Sequence, residues 1–153
     1  FFKLTINNLP FQIFILLIFI QIIMGALISG LDAGKIYQTW PMMGSNYFPN
    51  DFNFKDLSST LEFNNHSLVQ FYHRNLAYLI ILYAIFLSIF IYKKKLFNLY
   101  LSLKILLFIL LLQIALGIFT LVTGLNIYLA SVHQITSVLL VLSALNLYYC
   151  RAK

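Results

Sequence analysis

Residues Ile105–Cys150 read ILLFILLLQIALGIFTLVTGLNIYLASVHQITSVLLVLSALNLYYC and contain no Asp, Glu, Lys or Arg. A helix needs about 20 apolar residues to cross a bilayer, and this stretch supplies that length on each side of a central turn cluster, Thr123-Gly124-Leu125-Asn126. It predicts a transmembrane hairpin, with spans over Leu103–Val122 and Ile127–Tyr149. Upstream, Leu4 to Leu31 is also uncharged, and a span is expected over Phe11–Ser29. A further span, Ser67–Tyr92, ends just before Lys93, Lys94 and Lys95 and carries Arg74 inside it. The expected fold is an all-α integral membrane protein, a four-transmembrane-helix bundle forming one domain over residues 1–153.

Composition supports this reading. The chain is 61% hydrophobic and 9% charged, and its mean hydropathy is +0.89, far from the balance of a soluble domain. A net charge of +6 could suggest a nucleic-acid partner. The basic residues flank apolar spans, however, and no stacking or groove-reading motif accompanies them, so membrane lipid is the expected contact and nucleic acid is not. The single cysteine, Cys150, excludes an internal disulfide and a cysteine-based metal cluster. No cleavable signal peptide is expected, because no small-residue cleavage pattern ends the first apolar stretch early. The chain begins at Phe1 rather than Met and is expected to be a fragment. No internal repeat is expected.

Charge asymmetry gives the orientation. Lys3, Lys93, Lys94, Lys95, Lys104, Arg151 and Lys153 fall at the N-terminus, the second connection or the C-terminus, which share one side in a four-span protein. That side is expected to be cytoplasmic in a bacterial inner membrane, or matrix in a mitochondrial inner membrane. The polar segment 32–65 holds all four acids, Asp32, Asp51, Asp56 and Glu62, and is expected to be the outer loop. Within it, Asn65-His66-Ser67 matches a glycosylation sequon whose use is not expected so close to a span.

An ionisable residue inside a span costs about 2.5–3.5 kcal/mol on insertion scales, so it usually faces the bundle interior and has a task there. His73, Arg74 and His133 are such residues. His73 follows the expected entry of its helix at Ser67 by about six residues, as His133 follows Ile127, so both lie roughly 9 Å below the same surface. Two imidazoles at matched depth suit the axial positions of one haem. Spacing alone leaves two other readings open: hydrogen-bonded core histidines, or a proton or ion path. His66 lies roughly 10 Å higher than His73 on nearly the same face and is not expected to share its iron. Arg74 suits a haem propionate near the outer surface, with snorkelling to lipid headgroups as its rival role. Gln70 and Gln134 offer uncharged hydrogen bonds beside the site, and Gln113 a possible tie between helices.

Beyond spacing, the chain resembles the C-terminal half of the haem A synthase family. The resemblance rests on Gly25-Ala26-Leu27-Ile28-Ser29-Gly30-Leu31-Asp32-Ala33-Gly34 with Ile36-Tyr37-Gln38-Thr39-Trp40-Pro41-Met42-Met43-Gly44, and on Val69-Gln70-Phe71-Tyr72-His73-Arg74 with Leu76-Ala77-Tyr78. It continues through Leu116-Gly117-Ile118, Thr120-Leu121, and Leu129-Ala130 to His133-Gln134. The resemblance covers nearly the whole chain.

It implies one half of a pseudo-symmetric eight-helix enzyme that converts the C8 methyl of haem O to the formyl group of haem A for cytochrome c oxidase assembly. The N-terminal half, absent here, would be the partner that holds the substrate and supplies a glutamate three residues before its own first ligand histidine. Haem O synthase is a further implied partner. In this chain Gln70 occupies that offset before His73, and an amide cannot take up a proton as a carboxylate can. The resemblance therefore implies a haem b site with axial ligands His73 and His133, bordered by Arg74, Gln70 and Gln134, and no catalytic residue in this half. The loop with Asp32, Trp40 and Pro41 is expected to cap the haem edge. Rival readings are a b-type cytochrome of another electron-transfer chain and a haem-free membrane scaffold or transporter fragment.

Overall fold

The computed structural model describes residues 8–51 and 63–152. Lys3, Asn53, Lys55, Asp56, Glu62 and Lys153 lie outside them. Among the described residues four helices form, α1 (Leu9–Gly30), α2 (His66–Lys93), α3 (Tyr100–Val122) and α4 (Ile127–Ala152), with short 3-10 turns at Ala33–Lys35 and Phe97–Leu99. All four are long and apolar enough to cross a membrane. Their ends overrun the expected spans by about one turn or less, within the fraying common at helix termini.

Local chemistry sets the helix ends. Pro10 stands in the first turn of α1, where a missing N–H costs no helical hydrogen bond. Asn65 caps α2, its side-chain oxygen accepting from the Leu68 amide at 3.1 Å. That role commits the sequon asparagine, and Ser67 beside it is buried. Gly124, at φ +72°, closes α3 in a Schellman arrangement: the Leu125 amide reaches the Thr120 carbonyl at 2.9 Å and the Gly124 amide reaches that of Leu121 at 3.3 Å. Asn126 then accepts from the Tyr128 amide at 3.0 Å and starts α4.

The helices run up and down as two hairpins, α1 with α2 and α3 with α4. Helices α1 and α4 also pack together, whereas α2 and α3 meet only slightly. The apolar core sits at one end of the bundle. It joins Phe11, Phe14, Ile15 and Ile18 from the start of α1 to Ile80, Ala84, Leu87 and Ile91 from the end of α2. Leu103, Leu106 and Leu110 of α3, Leu140, Ala144, Leu147 and Tyr148 of α4, and Leu99 before α3 complete it. Lipid tails are as apolar as these side chains, so close packing rather than escape from water holds this end together. The outward surface is apolar as well, with Phe108 and Leu111 each 67% exposed, a pattern that suits hydrocarbon and would be a liability in water.

Candidate functional site

At the other end the helices do not close on one another. A cavity of about 780 Å³ lies between them, within the about 300–1,000 Å³ range of small-molecule and cofactor sites. His73 from α2 and His133 from α4 both line it, each about two turns into its helix.

Each histidine rests against the preceding helix of its own hairpin, and the two settings match. On α1, Gln21 Nε2 donates to the His73 carbonyl at 3.1 Å and lies 3.3 Å from His73 Nε2. On α3, Gln113 Nε2 donates to the His133 carbonyl at 3.0 Å and lies 3.4 Å from His133 Nε2. One turn beyond each glutamine comes a glycine on the same helix face. A Cβ at Gly25 would stand 3.3 Å from His73 Cε1, and one at Gly117 would stand 3.0 Å from His133 Cε1. The hairpins thus share the pattern Gln-Ile-x-x-Gly, Gln21 to Gly25 and Gln113 to Gly117, each facing a histidine. It does not stand out as an internal repeat in the sequence. Two glutamines, two isoleucines and two glycines in apolar filler are too few identities to register until the helices are paired.

Arg74 is not aimed at the cavity alone. Its guanidinium donates to the carbonyls of Thr39 at 2.9 Å, Met42 at 3.3 Å and Tyr37 at 2.9 Å, leaving Nε buried without a partner. The buried Gln70 also donates to the Tyr37 carbonyl, at 2.9 Å. Both side chains therefore pin the loop Tyr37–Met42 onto α2, with Tyr47 adding a hydrogen bond to Asn75. Of the loop residues expected as a cap, Asp32 and Trp40 line the cavity and Pro41 does not; Gln134 lines it as well. Lys35, paired with Asp32 at 2.9 Å, joins the lining. His66 is exposed at the first position of α2 and away from the cavity.

Sequence reading missed Gln21, Gly25 and Gly117 as site residues and took Gln113 only as an interhelical tie. The residues fit a bis-histidine haem. Two imidazoles from different helices border one largely apolar cavity, His73 Nδ1 and His133 Nδ1 are buried without partners, and glycines clear the space beside both rings. Among the described residues, no group of three or more His, Cys, Asp or Glu could hold a metal ion by itself, so the donor set suits an iron whose other ligands come from a macrocycle.

Residues 8–145 match the cytochrome oxidase assembly protein family, and the chain belongs to that family. Among curated relatives, the chain is 47% identical over 143 residues to a "Heme A synthase" of Pelagibacter ubique, covering 90% of this chain and 41% of that protein. A "Heme A synthase" of a Wolbachia from Brugia malayi is 38% identical, covering 84% of this chain and 36% of that protein. One from Rickettsia prowazekii is 37% identical, with 82% and 37% covered. The chain thus spans well under half the length of these relatives. No solved structure matches it.

Proposed function

We propose that this chain is the C-terminal, haem b-binding half of a haem A synthase, and that His73 and His133 are the axial ligands. The observation that carries this reading is the pair of histidines from α2 and α4 bordering one cavity in matching settings. The whole enzyme would contain a second four-helix half and oxidise the C8 methyl of haem O to a formyl group.

The chain's own residues divide the work as follows. His73 and His133 supply two nitrogen donors, and Gly25 and Gly117 leave room for their rings. Arg74 and Gln70 hold the loop that carries Trp40 over the cavity mouth, and Arg74 Nε remains as the donor closest to a propionate's chemistry. Gln70 is an amide already committed to a carbonyl, so it neither accepts nor releases a proton. With His73 and His133 both holding it, a haem would supply one-electron exchange or structural support rather than bond breaking. The electron relay is the role favoured for this half, with Lys93–Lys95 and both termini on the cytoplasmic or matrix side.

The test is an absorbance spectrum of the purified full-length protein. His73→Ala and His133→Ala each abolish or strongly perturb the low-spin signal of this half, whereas His66→Ala leaves it in place. Loss of the signal with His66→Ala and its retention with His73→Ala would overturn the assignment. Haem O conversion by the same full-length protein separates a synthase from a cytochrome of another chain.

A further inference from the structure

We infer that Lys35 and Thr120 form the carboxylate-binding end of the cavity, the place where the propionates of a bound haem are held. The inference deepens the haem reading above and rests on it. A haem is apolar except for two carboxylates on one edge, and an ionised carboxylate only accepts hydrogen bonds, so the cavity needs an end that donates. Arg74 meets this need only in part. Its two terminal nitrogens are committed to the carbonyls of Thr39, Met42 and Tyr37, and the nitrogen left without a partner is Nε. A pair of carboxylates calls for more donors than that.

Lys35 and Thr120 belong to different hairpins and line the same cavity. On α3, Thr120 follows Gln113, the neighbour of His133, by about two turns on one face, which carries it away from the packed end. Thr120 is only 9% exposed, and its hydroxyl is buried without a partner. A threonine inside a helix commonly returns its hydroxyl to a carbonyl of the preceding turn. Left free and buried, the hydroxyl is a cost that a ligand's acceptor would remove. Lys35 ends the short turn Ala33–Lys35 that follows α1, and this turn is seated on the other hairpin. A Cβ at Gly34 would stand 2.9 Å from Leu125 Cδ2, and the Leu125 amide donates to the Thr120 carbonyl at 2.9 Å. Leu125 thus links the turn that carries the ammonium to the residue that carries the hydroxyl.

The ammonium is paired with Asp32 at 2.9 Å, through side chains that are 62% and 70% exposed. A pair so open to solvent holds weakly, so Lys35 can turn to an arriving carboxylate at little cost. Asp32 competes with that carboxylate for the same ammonium. The cavity end should therefore favour a porphyrin with free acids over one whose acids are masked as esters, and Asp32 should reduce that preference.

The experiment titrates the full-length protein, taken from haem-starved cells, with iron protoporphyrin IX and with its dimethyl ester, following the low-spin absorbance that His133→Ala removes. Lys35→Met weakens binding of the free acid about 5-fold, the scale of one exposed charge pair. Thr120→Val, which keeps the shape of the side chain, weakens it about 10-fold, the scale of one hydrogen bond to a charged group. Binding of the diester is unchanged in both variants. Asp32→Asn strengthens binding of the free acid and leaves the diester as it was. Lys35→Arg and Thr120→Ser keep a donor in place and retain the preference for the acid, which preserves the test should a first variant fail to accumulate. Thr120→Val leaves the thermal stability of the haem-free protein undiminished, whereas loss of a hydroxyl that tied helices together would lower it. Equal loss for acid and diester, or no loss for the acid in both Lys35→Met and Thr120→Val, would overturn the assignment. Binding of the acid that survives His73→Ala and His133→Ala would mean that the haem reading has failed. Binding that needs both histidines but ignores Lys35 and Thr120 would mean that this inference alone has failed.

Discussion

Gly117 and Gly25 face equivalent rings at different clearances, and the difference decides what an added methyl does. Alanine in place of glycine within a helix gains about 1 kcal/mol in propensity. Against this stands the cost of pushing a packed side chain aside, about 1–3 kcal/mol. At Gly25 the methyl would lie 3.3 Å from His73, a gap that a small ring shift relieves; at Gly117 it would lie 3.0 Å from His133, where the ring must move. Gly117→Ala is expected to lose most of the haem from this half and Gly25→Ala to keep most of it, as measured by haem stoichiometry after purification. Equal retention would show that the rings have slack that the clearances do not reveal. The histidines themselves were legible in the sequence, because an ionisable side chain in an apolar span stands out from its neighbours. Gln21, Gly25 and Gly117 were not. A glutamine or glycine in a membrane helix has many uses, and only the pairing of α1 with α2 and of α3 with α4 reveals which side chain each one meets.

Helix α2 does two jobs at adjacent positions. His73 faces α1 and the cavity, while Arg74 reaches out to the three carbonyls of the loop. A lysine could not bridge them, since its single ammonium lacks the guanidinium's planar fork. Arg74→Ala and Arg74→Lys are both expected to release the segment Tyr37–Met42, raising its amide exchange by at least an order of magnitude while haem remains bound. Unaltered exchange in Arg74→Ala would mean that Gln70 and Tyr47 suffice to dock the loop. The helices and their approximate ends could be read from the sequence because apolar length, the Lys run and the turn cluster Thr123–Asn126 are local signals. The loop's docking could not, since backbone carbonyls are present at every residue and leave no mark in a sequence.

The arrangement of charge over the whole chain makes a topological prediction. With Cys150 replaced by serine, a cysteine at Lys94 is expected to react with a membrane-impermeant label only from the cytoplasmic or matrix side, and one at Asn46 only from the opposite side. The reverse pattern would invert the bundle. The fold class followed from the sequence, but the division of the bundle into a packed end and a hollow end did not. Polar side chains such as His73, Gln113 and His133 mark the hollow end, but nothing in the sequence says how far the helices part around them.

That division bears on how the protein is made. The side chains that interlock at the packed end, from Phe11 through Leu87 and Leu103 to Leu147, belong to all four helices and need nothing but one another. Once the four helices have met, this end can lock while the other still stands apart, like a peg sprung at its hinge. On the reading proposed above, a haem could then enter between helices whose other end is already packed, rather than between helices that have yet to meet.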